Sequence, residues 1–153
     1  RGGVNVVSPE LLEELTEACR MMSQDHTGAL IVLKHKTSLA AIVETGDEVD
    51  ARVSRRLLLN IFFKNSPLHD GALIIANDRI QAVRCTLPVS ANSNIPAQYG
   101  LRHRAAVGIT EQSDASVIVV SEETGKISFV SNGVLKQMNS ITELRTAIEN
   151  SYR

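Results

Sequence analysis

Apolar residues near the start of the chain recur at helical spacing. Leu11, Leu12, Leu15, Ala18, Cys19 and Met22 form one stripe, and Ser8-Pro9 just before it supplies an N-cap hydroxyl and a proline at the first helical position. The period then changes. Gly28 to Leu33 reads GALIVL, an unbroken apolar run expected to be a buried strand, and Leu39 to Val43 is expected to be a second strand, closed by Glu44-Thr45-Gly46. Leu57, Leu58, Ile61 and Phe62 restore the helical stripe and predict a helix over Ser54–Phe63. Asn65-Ser66-Pro67 ends it, because the residue before proline is pushed out of helical geometry.

Gly71 to Ala76 (GALIIA) reads as another buried strand, with Asn77-Asp78 as a turn and Arg79 to Leu87 as its hairpin partner. Pro88 to Gly100 is rich in Ser, Asn and Pro and is expected to be a loop, and a helix is one reading of Arg102 to Gln112, whose pattern is ambiguous. Val117–Val120 and Ile127–Val130 read as strands joined by a turn at Glu123-Thr124-Gly125-Lys126. A last helix opens with the capping box Ser140…Glu143 and carries the stripe Ile141, Leu144, Ile148. Interleaved strands and helices with hairpins predict an α/β single domain with a central mixed β-sheet flanked by helices. The repeated GALI strands are too short an echo to indicate duplication.

Length agrees with one domain, since 153 residues with 43% hydrophobic and 22% charged side chains can form a core without staples. A 3% aromatic content with no Trp leaves Leu, Ile, Val and Ala to build that core, and argues against a stacking platform for single-stranded nucleic acid. The net charge of −1, with basic residues scattered, gives no long-range attraction to a nucleic-acid backbone, so no nucleic-acid partner is expected. Cys19 and Cys85 lack partners at zinc spacing and read as buried thiols of a protein in a reducing, intracellular setting. No apolar run is long enough to span a membrane. The opening Arg1-Gly2-Gly3, without Met, reads as a cut from a longer chain.

Three segments look overspecified for packing. Leu68-His69-Asp70-Gly71-Ala72 sets a polar pair at the mouth of a buried strand, with small residues that let a ligand approach the backbone. Asp70 there suits a divalent cation or the proton of an attacking hydroxyl, and equally suits a turn aspartate. Arg102-His103-Arg104 offers two bidentate guanidinium donors for phosphate oxygens, against the plainer reading of a solvated basic face. Ser121-Glu122-Glu123 follows a strand and suits a metal or an ordinary turn. Together they point to a polyanion with a cation, a nucleoside triphosphate before most other ligands. Neither GxxxxGK[ST] nor GxGxxG occurs, nor do GxSxG or HExxH.

The pairing of Asp70-Gly71-Ala72 with Arg102-His103-Arg104 resembles the DGA and RHR motifs of diadenylate cyclase domains, most of all those of membrane-type bacterial enzymes. The context is similar too: NxPLHDGA over Asn65–Ala72, LPxS over Leu87–Ser90, RHRAAxGI over Arg102–Ile109 and VSEETG over Val120–Gly125. The resemblance implies synthesis of cyclic di-AMP from two ATP with release of two pyrophosphates, at a face-to-face homodimer. It implies Asp70 as the group serving the metal and the ribose 3′-hydroxyl, with His69, Asp70 and Glu123 as metal ligands. Arg102, His103 and Arg104 are implied as phosphate-gripping catalytic residues, Ser121 and Glu123 as neighbours of the phosphate and metal, and Gly71, Ala72 and Leu87 as the border of the adenosine. The cofactor is expected to be Mg²⁺ or Mn²⁺, with Co²⁺ also suited to a histidine ligand. The implied organisation is a linker at 1–7 from an upstream segment, a cyclase domain at 8–134 and a C-terminal helix or tail at 135–153. The full-length protein is expected at the cell membrane, with this domain facing the cytoplasm. Thr86 and Leu101 depart from the pattern, standing where relatives place an aromatic and a small hydroxyl residue. A nucleotide sensor without turnover and a nucleotide phosphohydrolase are the competing readings.

Overall fold

The computed structural model describes residues 7–153, so the linker expected at 1–7 lies outside the described residues except for Val7, which packs on the core. The element order is α1 (Pro9–Asp25), β1 (Ala29–Leu33), α2 (Ala40–Val43), β2 (Asp47–Arg52), α3 (Arg55–Phe62), β3 (Ala72–Ala76), β4 (Arg79–Cys85), α4 (Leu101–Gln112), β5 (Ser116–Val120), β6 (Ile127–Ser131), β7 (Val134–Gln137) and α5 (Ile141–Ser151). The strands form one seven-stranded sheet in the order β2-β4-β3-β1-β5-β6-β7. Only β1 and β3 pair in parallel; every other neighbour is antiparallel. The expected α/β domain with a central mixed sheet is what the chain forms.

Side-chain alternation along the strands divides the core into two layers. Ile31, Leu33, Leu73, Ile75, Ile118 and Val120 meet the stripes of α1, α3 and α5, while Leu30, Val32, Ile74, Val117 and Val119 meet α2 and α4. Because helices cover both faces, β1, β3 and β5 are buried along their whole length, which is why they read as continuous apolar runs rather than alternating ones.

The helix signals of the sequence act as expected. The hydroxyls of Ser8, Ser54 and Ser140 accept from the backbone N–H groups of Leu11, Leu57 and Glu143, and Glu143 reaches back to the N–H of Asn139. The Asn77-Asp78 turn has both residues at positive φ, the geometry of a tight two-residue hairpin.

One expectation fails. Leu39–Val43 is not a strand: Ala40–Val43 forms one helical turn that buries Leu39 and Val43, four residues apart, on the same layer as α4. Two edge strands went unread. β2 (DEVDAR) and β7 (VLKQ) bury almost nothing, so neither carries an apolar pattern. The signal for β7 was its turn, Asn132-Gly133, both at positive φ.

Helix α4 is pressed unusually close to the loop before it. A Cβ on Gly108 would lie 1.9 Å from the Pro88 carbonyl oxygen, and Ser90 N–H donates to the Arg104 carbonyl at 3.0 Å. Gly108→Ala is therefore expected to destabilise the fold by at least about 1–3 kcal/mol, the range for overpacking. Leu144→Ala, which empties a fully buried position on α5, is expected to cost about 2–5 kcal/mol. Urea unfolding of each variant measures both; a wild-type midpoint for either contradicts the packing described.

Candidate functional site

The sheet registers bring the start of β1, the start of β3 and the ends of β4 and β5 to the same edge, since Ala29 sits opposite Val120 and Ala72 opposite Cys85. A cleft of about 1000 Å³ opens there, with the first turn of α4 as its other wall. His69, Asp70, Gly71, Leu87, Arg102, His103, Ser121 and Glu123 all line it. Three segments far apart in sequence thus share one cavity, within the size range of small-molecule sites. A second hollow of about 800 Å³, at the opposite end of the sheet, contains none of them.

The mouth of β3 is held by a tight turn. Ser66 Oγ accepts from Leu68 N–H at 3.0 Å, and the Ser66 carbonyl is 2.8 Å from Nδ1 of His69. In the neutral tautomer that donates Nδ1–H to that carbonyl, Nε2 carries the lone pair, 3.4 Å from Oδ1 of Asp70. Two electron-pair donors turned toward each other at that separation invite a cation or a proton between them. Gly71 follows with φ +85°, and a Cβ there would lie 2.8 Å from the Cys85 carbonyl oxygen, so both conformation and space require glycine.

Across β1, Ser121 Oγ accepts from the N–H groups of Glu123 and Thr124, which closes the turn and leaves its own O–H free to donate. Glu122 Oε1 accepts from Nη1 of Arg102 at 3.1 Å. The N-cap of α4 is Gly100, which offers no side-chain cap, and Gly100, Leu101, Arg102 and His103 line the cleft.

His103 is buried and its ring lies 4.7 Å from that of Tyr99, tilted by 43°. Burial, reinforced by the neighbouring Arg102 charge, lowers its pKa below the usual histidine value. The imidazole is neutral at pH 7, a hydrogen-bonding group rather than a fixed cation.

The structure does not bring every expected residue into the cleft. Arg104 stands outside the lining, because two residues along an α-helix turn a side chain by roughly 200° from Arg102. Ala105, at i+3, shares the Arg102 face instead. Ala72 is fully buried beneath the cleft rather than on its wall. Glu123 lines the cleft but belongs to no ligand cluster: among the described residues no three His, Cys, Asp or Glu side chains gather as a metal-holding group. Its turn lies two strand spacings, roughly 10 Å, from the β3 mouth. Sequence reasoning also missed Glu122 as the partner of Arg102, and Tyr99, an aromatic from the loop facing the cleft whose β4 rim carries Thr86. Tyr99 was conspicuous as one of only two tyrosines, placed next to Gly100 and the basic triplet.

A family model described as DisA bacterial checkpoint controller nucleotide-binding matches residues 16–135. The chain belongs to this family. Family members similar to it include the cyclic di-AMP synthase CdaA of Bacillus subtilis, 40% identical over 98% of this chain and 55% of that protein. A diadenylate cyclase of Listeria monocytogenes is 42% identical over 88% of this chain and 49% of that protein. The chain thus spans about half the length of these relatives. A solved structure of a DacA double mutant from Staphylococcus aureus superposes with a TM-score of 0.91 at 40% identity, covering 93% of this chain and 95% of that one.

The unfolded His103 imidazole binds a proton more readily than the folded one. Its contribution to stability is therefore full above the ordinary histidine pKa of about 6.5 and is lost as the pH falls below that value. An NMR titration of the His103 ring is expected to give a midpoint below that of a free histidine; a midpoint at or above it overturns the neutral assignment.

Proposed function

We propose that the chain is a diadenylate cyclase domain that condenses two ATP into cyclic di-AMP and two pyrophosphates, each copy of the domain holding one ATP. The observation that carries this reading is the convergence of the His69–Asp70 pair and the Arg102 guanidinium on opposite walls of one cleft, in a family whose relatives bear the names cyclic di-AMP synthase and diadenylate cyclase. Arg102 and the uncapped first turn of α4 suit the α- and neighbouring phosphates, neutral His103 adds a hydrogen bond, and Ser121 O–H donates from the far wall. Gly71 and Leu87 border the adenosine, with Tyr99 as the aromatic nearby. Arg104 and Ala72 lie off the lining of this cleft.

The donor set fits a divalent cation. Nε2 of His69 and Oδ1 of Asp70 would hold it, and Glu123 would add charge from the opposite wall. When bound, the cation neutralises charge at the phosphoryl oxygens; an imidazole ligand favours Mn²⁺ or Co²⁺ over Mg²⁺. Asp70 is side-chain exposed by 83%, open to the cleft, and accepts the proton of the 3′-hydroxyl that attacks the α-phosphate. Each attack forms one P–O3′ bond and breaks the bond to the leaving pyrophosphate, with catalysis resting on positioning and electrostatics. This cleft holds one ATP, so the ring closes only when two copies meet. Exposed apolar Leu101 and Val89 on the cleft rim suit such a meeting.

Likeness to a solved Bacillus cereus domain described as a hypothetical membrane spanning protein, at 39% identity and TM-score 0.81, supports the further reading that the full-length protein is membrane-anchored with this domain on the cytoplasmic side. No helix among the described residues is long and apolar enough to cross a membrane.

Incubation with ATP and Mn²⁺ or Mg²⁺, followed by mass identification, is expected to yield cyclic di-AMP and pyrophosphate, at a rate rising faster than linearly with protein concentration. Release of ADP or AMP alone would replace this reading with a phosphohydrolase, and ATP binding without product would replace it with a sensor. Asp70→Asn is expected to abolish synthesis while the fold survives, and chelation of the metal is expected to do the same reversibly, with Mn²⁺ restoring more activity than Mg²⁺. Arg102→Ala is expected to cost about 2–4 kcal/mol of transition-state stabilisation; a loss of less than twofold in rate would remove Arg102 from the phosphate clamp.

A further inference from the structure

The side chain of Arg102 rests on a residue that no motif singles out. A Cβ built on Gly28, immediately before β1, would lie 2.5 Å from both Cζ and Nη1 of Arg102 and 2.8 Å from Nη2. Nearly equal distances to these three atoms place the Gly28 Cα under the flat face of the guanidinium. The contrast with other glycines is informative. A Cβ on Gly46 or Gly108 would strike backbone carbonyls, whereas the nearest atoms at Gly28 all belong to the far end of one flexible side chain. Gly28 is also not among the glycines at positive φ, so alanine fits its backbone conformation. Packing thus demands no glycine here; only the position of Arg102 does. On its edge the guanidinium is held by Glu122, at 3.1 Å from Nη1, and the Arg102 side chain is only 28% exposed.

We propose that Gly28 is a positioning residue for the phosphate clamp: its bare backbone is the seat that sets the depth of the Arg102 guanidinium in the cleft, while Glu122 holds it in plane until a triphosphate takes over. This rests on the assignment of Arg102 to the phosphates. A methyl group at position 28 forces the guanidinium outward by about 1 Å to reach ordinary contact, and a displacement of that size in a reacting group can cost roughly 100-fold in rate.

The test is a double-mutant cycle read by activity, with structure and stability alongside. Gly28→Ala is expected to lower kcat/KM by about 10- to 100-fold, with a displaced guanidinium in its crystal structure. Added to Arg102→Ala, where the seat has nothing to carry, the same substitution is expected to change activity by less than about twofold, because effects acting through one group do not add. The double variant has room for the new methyl, so it is expected to fold even if the single variant is destabilised. Full additivity of the two losses, wild-type activity of Gly28→Ala, or an unmoved Arg102 in its crystal structure would overturn the proposal. If the wild-type protein makes no cyclic dinucleotide, the cyclase reading falls by itself. The seat is then judged by the crystal structure and by ATP affinity from calorimetry, where Gly28→Ala is expected to weaken binding only while Arg102 is present.

Discussion

The position of β1 governs the rest of the molecule. It is fully buried, pairs in parallel with β3 on one side and antiparallel with β5 on the other, and contributes side chains to both core layers. A strand covered on both faces and both edges has one register available, because a slip by one residue would exchange its two hydrophobic layers. That register fixes which loops meet. The turn leading into β3 and the turn leaving β5 emerge on either side of Gly28, and the cleft is the space between them and α4. The location of the site is thus a property of strand pairing, settled before any polar residue is considered.

The chemistry placed there is divided between walls. His69 and Asp70 present electron pairs on the β3 side, and Arg102 presents its cation from α4, already matched with Glu122. Ligand phosphates would replace a carboxylate with a more highly charged partner at the same guanidinium. The pair is partly exposed, so its strength in the free protein is modest and weakens with salt; its effect is to restrict where the guanidinium sits. Neutral His103, kept so by burial, lets this wall offer a hydrogen bond without adding a second fixed charge next to Arg102.

Much of this was legible in the sequence, for identifiable reasons. Buried strands announce themselves as apolar runs and capped helices by their serines, so β1, β3, β5, α1, α3 and α5 were readable. Edge strands β2 and β7 have no face to bury and leave no such trace, and Leu39–Val43 is too short for periodicity to separate strand from helix. The ambiguity of α4 has its own cause: His103 and the run Ala105–Thr110 are all buried, so the helix has no polar face to set a period. At the site, the motifs named Asp70 and Arg102, yet adjacency in a triplet says nothing about direction, and Arg104 leaves the cleft by the rotation of the helix. The roles of Gly28 and Glu122 beside Arg102 were beyond reach, since they lie in contact with a residue distant in sequence.

The close approach of α4 to the Pro88–Ser90 loop has a consequence for how any ligand is received. Gly108 lies against the Pro88 carbonyl, Ser90 N–H bonds the Arg104 carbonyl, and Ser90 Oγ donates to Glu111. The wall carrying Leu87 and Val89 and the wall carrying Arg102 are therefore one rigid unit, unable to part without unpacking a helix. The spacing between the surfaces proposed to meet base and phosphates is set when the chain folds. The ordering entropy of that arrangement is met once, in folding, and is not charged again to each binding event.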